Sequence, residues 1–114
     1  MKVIVAGGRD FIPFTIHFDW LKDKLKELNA TEEVSGCARG ADTFGEQVAS
    51  ILYIPIKKFP PEWDIYGRSA GYRRNVEMAN YADAVILFPG GKGTAHMKKI
   101  AEQKNLKVIE YEGG

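Results

Sequence analysis

Apolar residues in this chain alternate between short unbroken runs and positions three or four apart, and that alternation predicts strands and helices in turn. Lys2 to Ala6 (KVIVA) is a β-branched run ending at Gly7-Gly8, as expected of a strand buried on both faces and closed by a loop. From about Pro13, Phe14, Phe18, Leu21, Leu25 and Leu28 recur at helical spacing, with Thr15 as the expected N-cap and Asn29 as the stop. Glu32 to Gly36 (EEVSG) predicts a short second strand. Gly40 to about Tyr53 predicts a second helix with Ala41, Phe44, Val48, Ile51 and Leu52 inward. Ile54 to Phe59 (IPIKKF) reads as a third strand, and its Pro55 suits a sheet edge. Pro60 to Arg68 reads as an irregular loop, and Ser69 to Ala82 as a helix burying Tyr72, Val76, Met78 and Ala79. Asp83 to Phe88 (DAVILF) is a central strand, Thr94 to Lys104 a helix and Leu106 to Tyr111 a last strand.

Five strands joined by four crossover helices predict an α/β fold, a three-layer α/β/α Rossmann-like sandwich. A five-stranded parallel sheet in the order 3-2-1-4-5 gives right-handed crossovers and covers both faces. The strand order reverses beside strands one and four. Open parallel sheets bind ligands beyond the carboxyl ends of the strands at such a reversal, so the loops after these two strands are the first places to look for function.

Composition narrows the picture. The chain has 114 residues, 45% hydrophobic and 27% charged, which suits one globular domain over residues 1–114 rather than a disordered chain. Its net charge of +1, without runs of like charge, argues against nucleic acid or an anionic membrane as partner and favours a small molecule. Cys37 stands alone, no apolar run approaches about 20 residues, and Lys2 leads into a strand without a signal-peptide pattern. A reducing cytoplasm is the expected compartment, and no metal site is expected.

Four segments carry candidate chemistry. Pro89-Gly90-Gly91-Lys92-Gly93-Thr94 lies where a strand turns into a helix, so its glycines let backbone N–H groups and the helix N-terminus approach an anionic oxygen, with the Thr94 hydroxyl adding a donor. The glycine-to-Gly-Lys-Ser/Thr spacing of a Walker A loop is absent. Gly7-Gly8-Arg9-Asp10 follows strand one, with Arg9 suited to phosphate and Asp10 to a sugar, a base or a helix cap. In Ser35-Gly36-Cys37-Ala38-Arg39-Gly40-Ala41-Asp42, residues Ser35, Gly36, Gly40 and Ala41 are small enough to lie against the first loop. Asp42 suits a helix N-terminus with or without a ligand, and Cys37 has no evident partner for nucleophilic chemistry. At Ala70-Gly71-Tyr72-Arg73-Arg74-Asn75, one of Arg73 and Arg74 is expected to clamp phosphate beside Asn75, because cationic side chains are otherwise unfavourable at a helix start. Trp63 and Tyr66 either stack on a base or pack at the surface.

Taken in order, GGRDF at 7–11, SGCARGAD at 35–42, AGYRRN at 70–75 and FPGGKGTAHM at 88–97 resemble the SLOG superfamily. This Rossmann-like group is named after Smf/DNA-processing protein A and the LONELY GUY enzymes, and the likeness is to its small YspA/cpYpsA-related branch. The resemblance implies binding of a nucleotide or nucleotide-derived ligand, NAD-related molecules included, and assembly into a homo-oligomer, with no further cofactor expected. LONELY GUY enzymes cleave a base from a nucleoside monophosphate with a glutamate in a motif similar to Pro-Gly-Gly-x-Gly-Thr-x-x-Glu. Here Met97 stands in that place, and a thioether neither exchanges protons nor stabilises an oxocarbenium ion. The expected function is therefore ligand binding or sensing. N-glycoside hydrolysis through Asp10 or Glu46 is the alternative, and single-stranded nucleic-acid binding is disfavoured by the charge.

Overall fold

The computed structural model describes residues 1–113. Strands β1 (Lys2–Ala6), β2 (Glu32–Ser35), β3 (Ile56–Lys58), β4 (Ala84–Leu87) and β5 (Lys107–Glu110) form one parallel sheet in the order β3-β2-β1-β4-β5. Between them run helices α1 (Thr15–Glu27), α2 (Ala41–Ile51), α3 (Trp63–Tyr66), α4 (Ala70–Tyr81) and α5 (Lys92–Gln103). The sheet order and the three-layer arrangement are those predicted from the sequence.

Side chains on a strand alternate between faces, and β1 divides accordingly. Val3 and Val5 pack with Leu21, Leu25, Phe44 and Val48 of α1 and α2, whereas Ile4 and Ala6 pack with Met78, Ala79, Met97 and Ile100 of α4 and α5. Central strands buried on both faces therefore read as unbroken apolar runs, which is why β1 and β4 were legible. Helix ends follow local chemistry too. Asn29, Tyr53 and Asn105 take positive φ (49°, 58° and 60°) just past α1, α2 and α5, the left-handed turn that commonly ends a helix.

Several local expectations are corrected. Phe14, not Thr15, is the N-cap of α1, and its backbone N–H donates to Nδ1 of the buried His17 at 2.8 Å, the reach-back half of a capping box made by the N3 side chain. Phe14 itself is exposed, as is Ile51 at the end of α2. The segment 60–68 is not wholly irregular, since it contains the single turn α3 and enters a 3₁₀ turn at Gly67–Ser69. On α4 the inward stripe is Ala70, Arg74, Asn75, Met78 and Ala79. Tyr72 and Val76 lie outside it at 44% and 39% exposure. Among the described residues, no helix is long and apolar enough to cross a membrane.

Candidate ligand-binding cleft

Three loops converge at Gly8, beyond the carboxyl end of β1. Its N–H donates to the Pro89 carbonyl at 2.8 Å, and its own carbonyl accepts the Ala41 N–H at 3.1 Å, so the β1–α1 loop is clasped to the loops before α5 and α2. Gly40 makes this approach feasible. Its φ is +77°, and a Cβ there would lie 2.6 Å from the Arg9 carbonyl oxygen, so no side chain fits. The clasp uses up the Gly8 N–H, which therefore holds the rim together instead of pointing into the hollow.

Beside this junction opens a cleft of about 410 Å³. Gly7, Gly8 and Arg9 form one edge, Ala38 and Asp42 a second, and Gly91, Gly93 and Thr94 of the α5 start a third. Trp63, Arg68, Gly71, Tyr72, Arg74 and Asn75 form the remaining wall, and the buried Ala6, Met78 and Met97 make an apolar floor. The first N–H groups of any α-helix have no intrahelical acceptor, and α5 has no side-chain cap and no acidic residue in its first turn. Those donors and the positive end of the helix dipole are thus available to an anion at Gly91–Thr94.

Of Arg73 and Arg74, Arg74 is the one that enters the cleft. One terminal nitrogen donates to the Gly36 carbonyl, while Nε donates to Asn75 Oδ1 at 3.1 Å, so the guanidinium is oriented before any ligand arrives. Gly36 is needed for this, because a Cβ there would lie 2.7 Å from Arg74 Nη1 and 2.8 Å from Asp42 Oδ2. Asn75, 5% exposed, also donates to the Gly93 carbonyl at 3.2 Å and meets His96 Nδ1 at 3.2 Å, tying α4 to the start of α5. Arg73 turns away: its guanidinium lies 4.3 Å from the Tyr66 ring centre and its Nε bonds Ser69 Oγ.

Among the described residues, Asp42 is the one carboxylate lining the cleft. Burial pushes its carboxyl up to about 6, against the lowering effects of the Ala38 N–H, which donates to Oδ2 at 3.2 Å, and of the Arg74 and Arg9 charges. It is thus poised to change charge just below neutral pH. Asp10 is 98% exposed and pairs with Arg39 at 3.6 Å, outside the cleft lining. Glu46 also lies outside it, accepting the Ser35 hydroxyl at 2.5 Å and standing 3.7 Å from Lys58 Nζ. Burial and Glu46 push the Cys37 thiol up, which disfavours a thiolate nucleophile.

Of the residues singled out by sequence, Gly7, Gly8, Arg9, Arg74, Asn75, Gly91, Gly93 and Thr94 line the cleft. Ser35, Gly36, Gly40 and Ala41 support it from behind, and Pro89 and Gly90 line a smaller hollow of about 290 Å³ with Lys98, Glu110 and Tyr111. Sequence reasoning undervalued Asp42, Tyr72 and the floor methionines. Their signal lay in the helical phase of α4 and α5 and in the position of Asp42 one residue into α2, whose cap Gly40 is pressed against the first loop.

No family model matches the chain. It is 31% identical over 119 aligned residues to the Gene 61 protein of Mycobacterium phage D29, an alignment that takes in 96% of this chain and 95% of the phage protein. On that identity, carried across nearly the full length of both proteins, the chain belongs to the family of the phage D29 Gene 61 protein.

Proposed function

We propose that the cleft binds a phosphate-bearing nucleotide or nucleotide-derived ligand, and that the protein is a sensor or binding domain of the SLOG type. The observation that carries this reading is Arg74, held by Gly36 and Asn75 in the same cleft as the uncapped start of α5. A prearranged guanidinium and unpaired backbone N–H groups suit a phosphate, and neither needs to reorganise to receive it. Arg9 adds a second cation at the edge. The reading also takes the protein to be cytoplasmic and to act as a homo-oligomer. Ile12, Phe14 and Ile16, exposed together after β1, support assembly.

Native mass spectrometry of gently purified protein tests ligand and assembly together, and is expected to show a phosphate-containing adduct on a dimer or larger species. A thermal-shift panel of mononucleotides and NAD-derived compounds should raise the melting temperature for at least one, because a ligand that prefers the folded state stabilises it. A bare monomer unaffected by the whole panel would contradict the reading.

Base release from a nucleotide is the second reading, and Asp42 favours it over a route through Asp10 or Glu46. A cleft carboxyl that still holds its proton near pH 6 suits protonation of a departing base. Chromatography of nucleotides incubated with the protein would then show free base, and Asp42→Asn would abolish it.

A further inference from the structure

We infer that Trp63 and Tyr72 form a platform on which the planar base of the ligand stacks, so that the cleft selects a nucleotide over a bare sugar phosphate. The inference rests on the proposed phosphate seat and assigns the two aromatic residues of the wall that also carries Arg74. Trp63 and Tyr72 are 47% and 44% exposed, yet both line the cleft. Both rings are also held in place. The Trp63 Cη2 atom lies 3.6 Å from where a Gly71 Cβ would stand, so the indole rests on the one residue of α4 that offers no side chain there. Tyr72 meets the His96 ring edge-on at 4.5 Å, and His96 is in turn bonded to Asn75.

Neighbouring residues separate this wall from ordinary surface aromatics. Tyr66, the other ring of the segment, lies against Arg73 and does not line the cleft. The floor beneath the platform is Met78 and Met97, whose polarisable thioethers make favourable contacts with aromatic rings. Two aromatic rings and Arg68 on the wall, with two thioethers on the floor, suit a flat π-system, whereas a phosphorylated sugar alone would leave them in water. Every base has a π-face, so the platform is tolerant of base identity.

The chain has two tryptophans, and Trp20 packs against Phe88 and Tyr111 at 5.5 and 4.9 Å, so a change of emission on ligand addition is assignable by substitution. The probes are AMP, GMP, CMP, UMP and ribose 5-phosphate, titrated against the full chain by fluorescence and calorimetry. At least one nucleotide should quench the emission, and Trp63→Phe should remove the quench while keeping most of the affinity. Trp63→Ala should weaken that nucleotide roughly 5- to 150-fold, the effect of losing one stacked base, and leave ribose 5-phosphate within about twofold. Tyr72→Ala, with circular dichroism to confirm folding, should act in the same direction. Nucleotides and ribose 5-phosphate binding alike, with Trp63→Ala weakening neither or both equally, would overturn the platform and leave the phosphate seat standing. Absence of calorimetric binding by every probe would overturn both.

Discussion

Glu33 offers the sharpest test of the energetics. It lies on β2 with no exposure to solvent, beneath α2, where a Cβ on Gly45 would stand 3.0 Å from its Oε2, and neither carboxyl oxygen has a hydrogen-bond partner. Burial, reinforced by the negative charges of Glu46 and Asp42, pushes its carboxyl from 4.5 to about 9. Between those values the unfolded chain has released the proton that the folded chain keeps. The contribution of Glu33 is therefore full below pH 4.5 and is lost as pH rises toward 9, at about 1.4 kcal/mol per pH unit. The window from pH 7 to 8.5 isolates it: Asp42 is already ionised in both states, and the Cys37 shift acts only above its ordinary value of 9.0. Across that window the loss amounts to about 2 kcal/mol. Glu33→Gln keeps the shape and cannot ionise, and any fixed cost of its amide is the same at every pH. Urea denaturation at closely spaced pH values should show the variant gaining about 2 kcal/mol on the parent between pH 7 and 8.5. Parallel curves would refute the reasoning, because they would mean that Glu33 ionises alike in both states.

Three further outcomes follow from the cleft. Asp42→Asn should remove a loss of stability that the parent suffers as pH rises from 3.8 to about 6, read as a gap in melting temperature that widens over that range and is constant above it. Gly36→Ala inserts a methyl group against Arg74 and Asp42, and is expected to cost about 1–3 kcal/mol in denaturation experiments and to weaken a phosphate-bearing probe. Asn75→Ala leaves the Gly93 carbonyl and Arg74 Nε without their partner, for a loss of about 1–3 kcal/mol seen by the same denaturation assay.

What was legible in the sequence was whatever apolar periodicity encodes. The runs at 2–6 and 83–88 announce strands buried on both faces, and glycine loops after them locate the crevice, because both signals are local. On α4 the expected burial of Met78 and Ala79 holds, whereas that of Tyr72 and Val76 fails for a physical reason. Pattern reading takes apolar residues to point into the core, but this helix meets the cleft, so Arg74 and Asn75 lie on its inward side, Tyr72 stands half-exposed on the cleft wall and Val76 is exposed. Asp10 drew notice by following a double glycine, yet it projects into solvent. Asp42 looked like an ordinary helix-start acid, and only the packing of Gly36, Arg74 and α2 gives it a buried, shifted carboxyl. Such roles depend on contacts between residues more than thirty positions apart, which no local window records.

Calorimetric titration of ADP-ribose into the parent protein, Arg74→Ala and Arg73→Ala tests the central claim most directly. Its diphosphate keeps a constant charge near neutral pH, so the comparison reads the arginines alone. Loss of a hydrogen bond to a charged group costs about 1.5–3 kcal/mol, so Arg74→Ala should bind roughly 10- to 150-fold more weakly while Arg73→Ala binds as the parent does. Equal affinity for all three, or a loss confined to Arg73→Ala, would contradict an anion seat built on Arg74 and the start of α5.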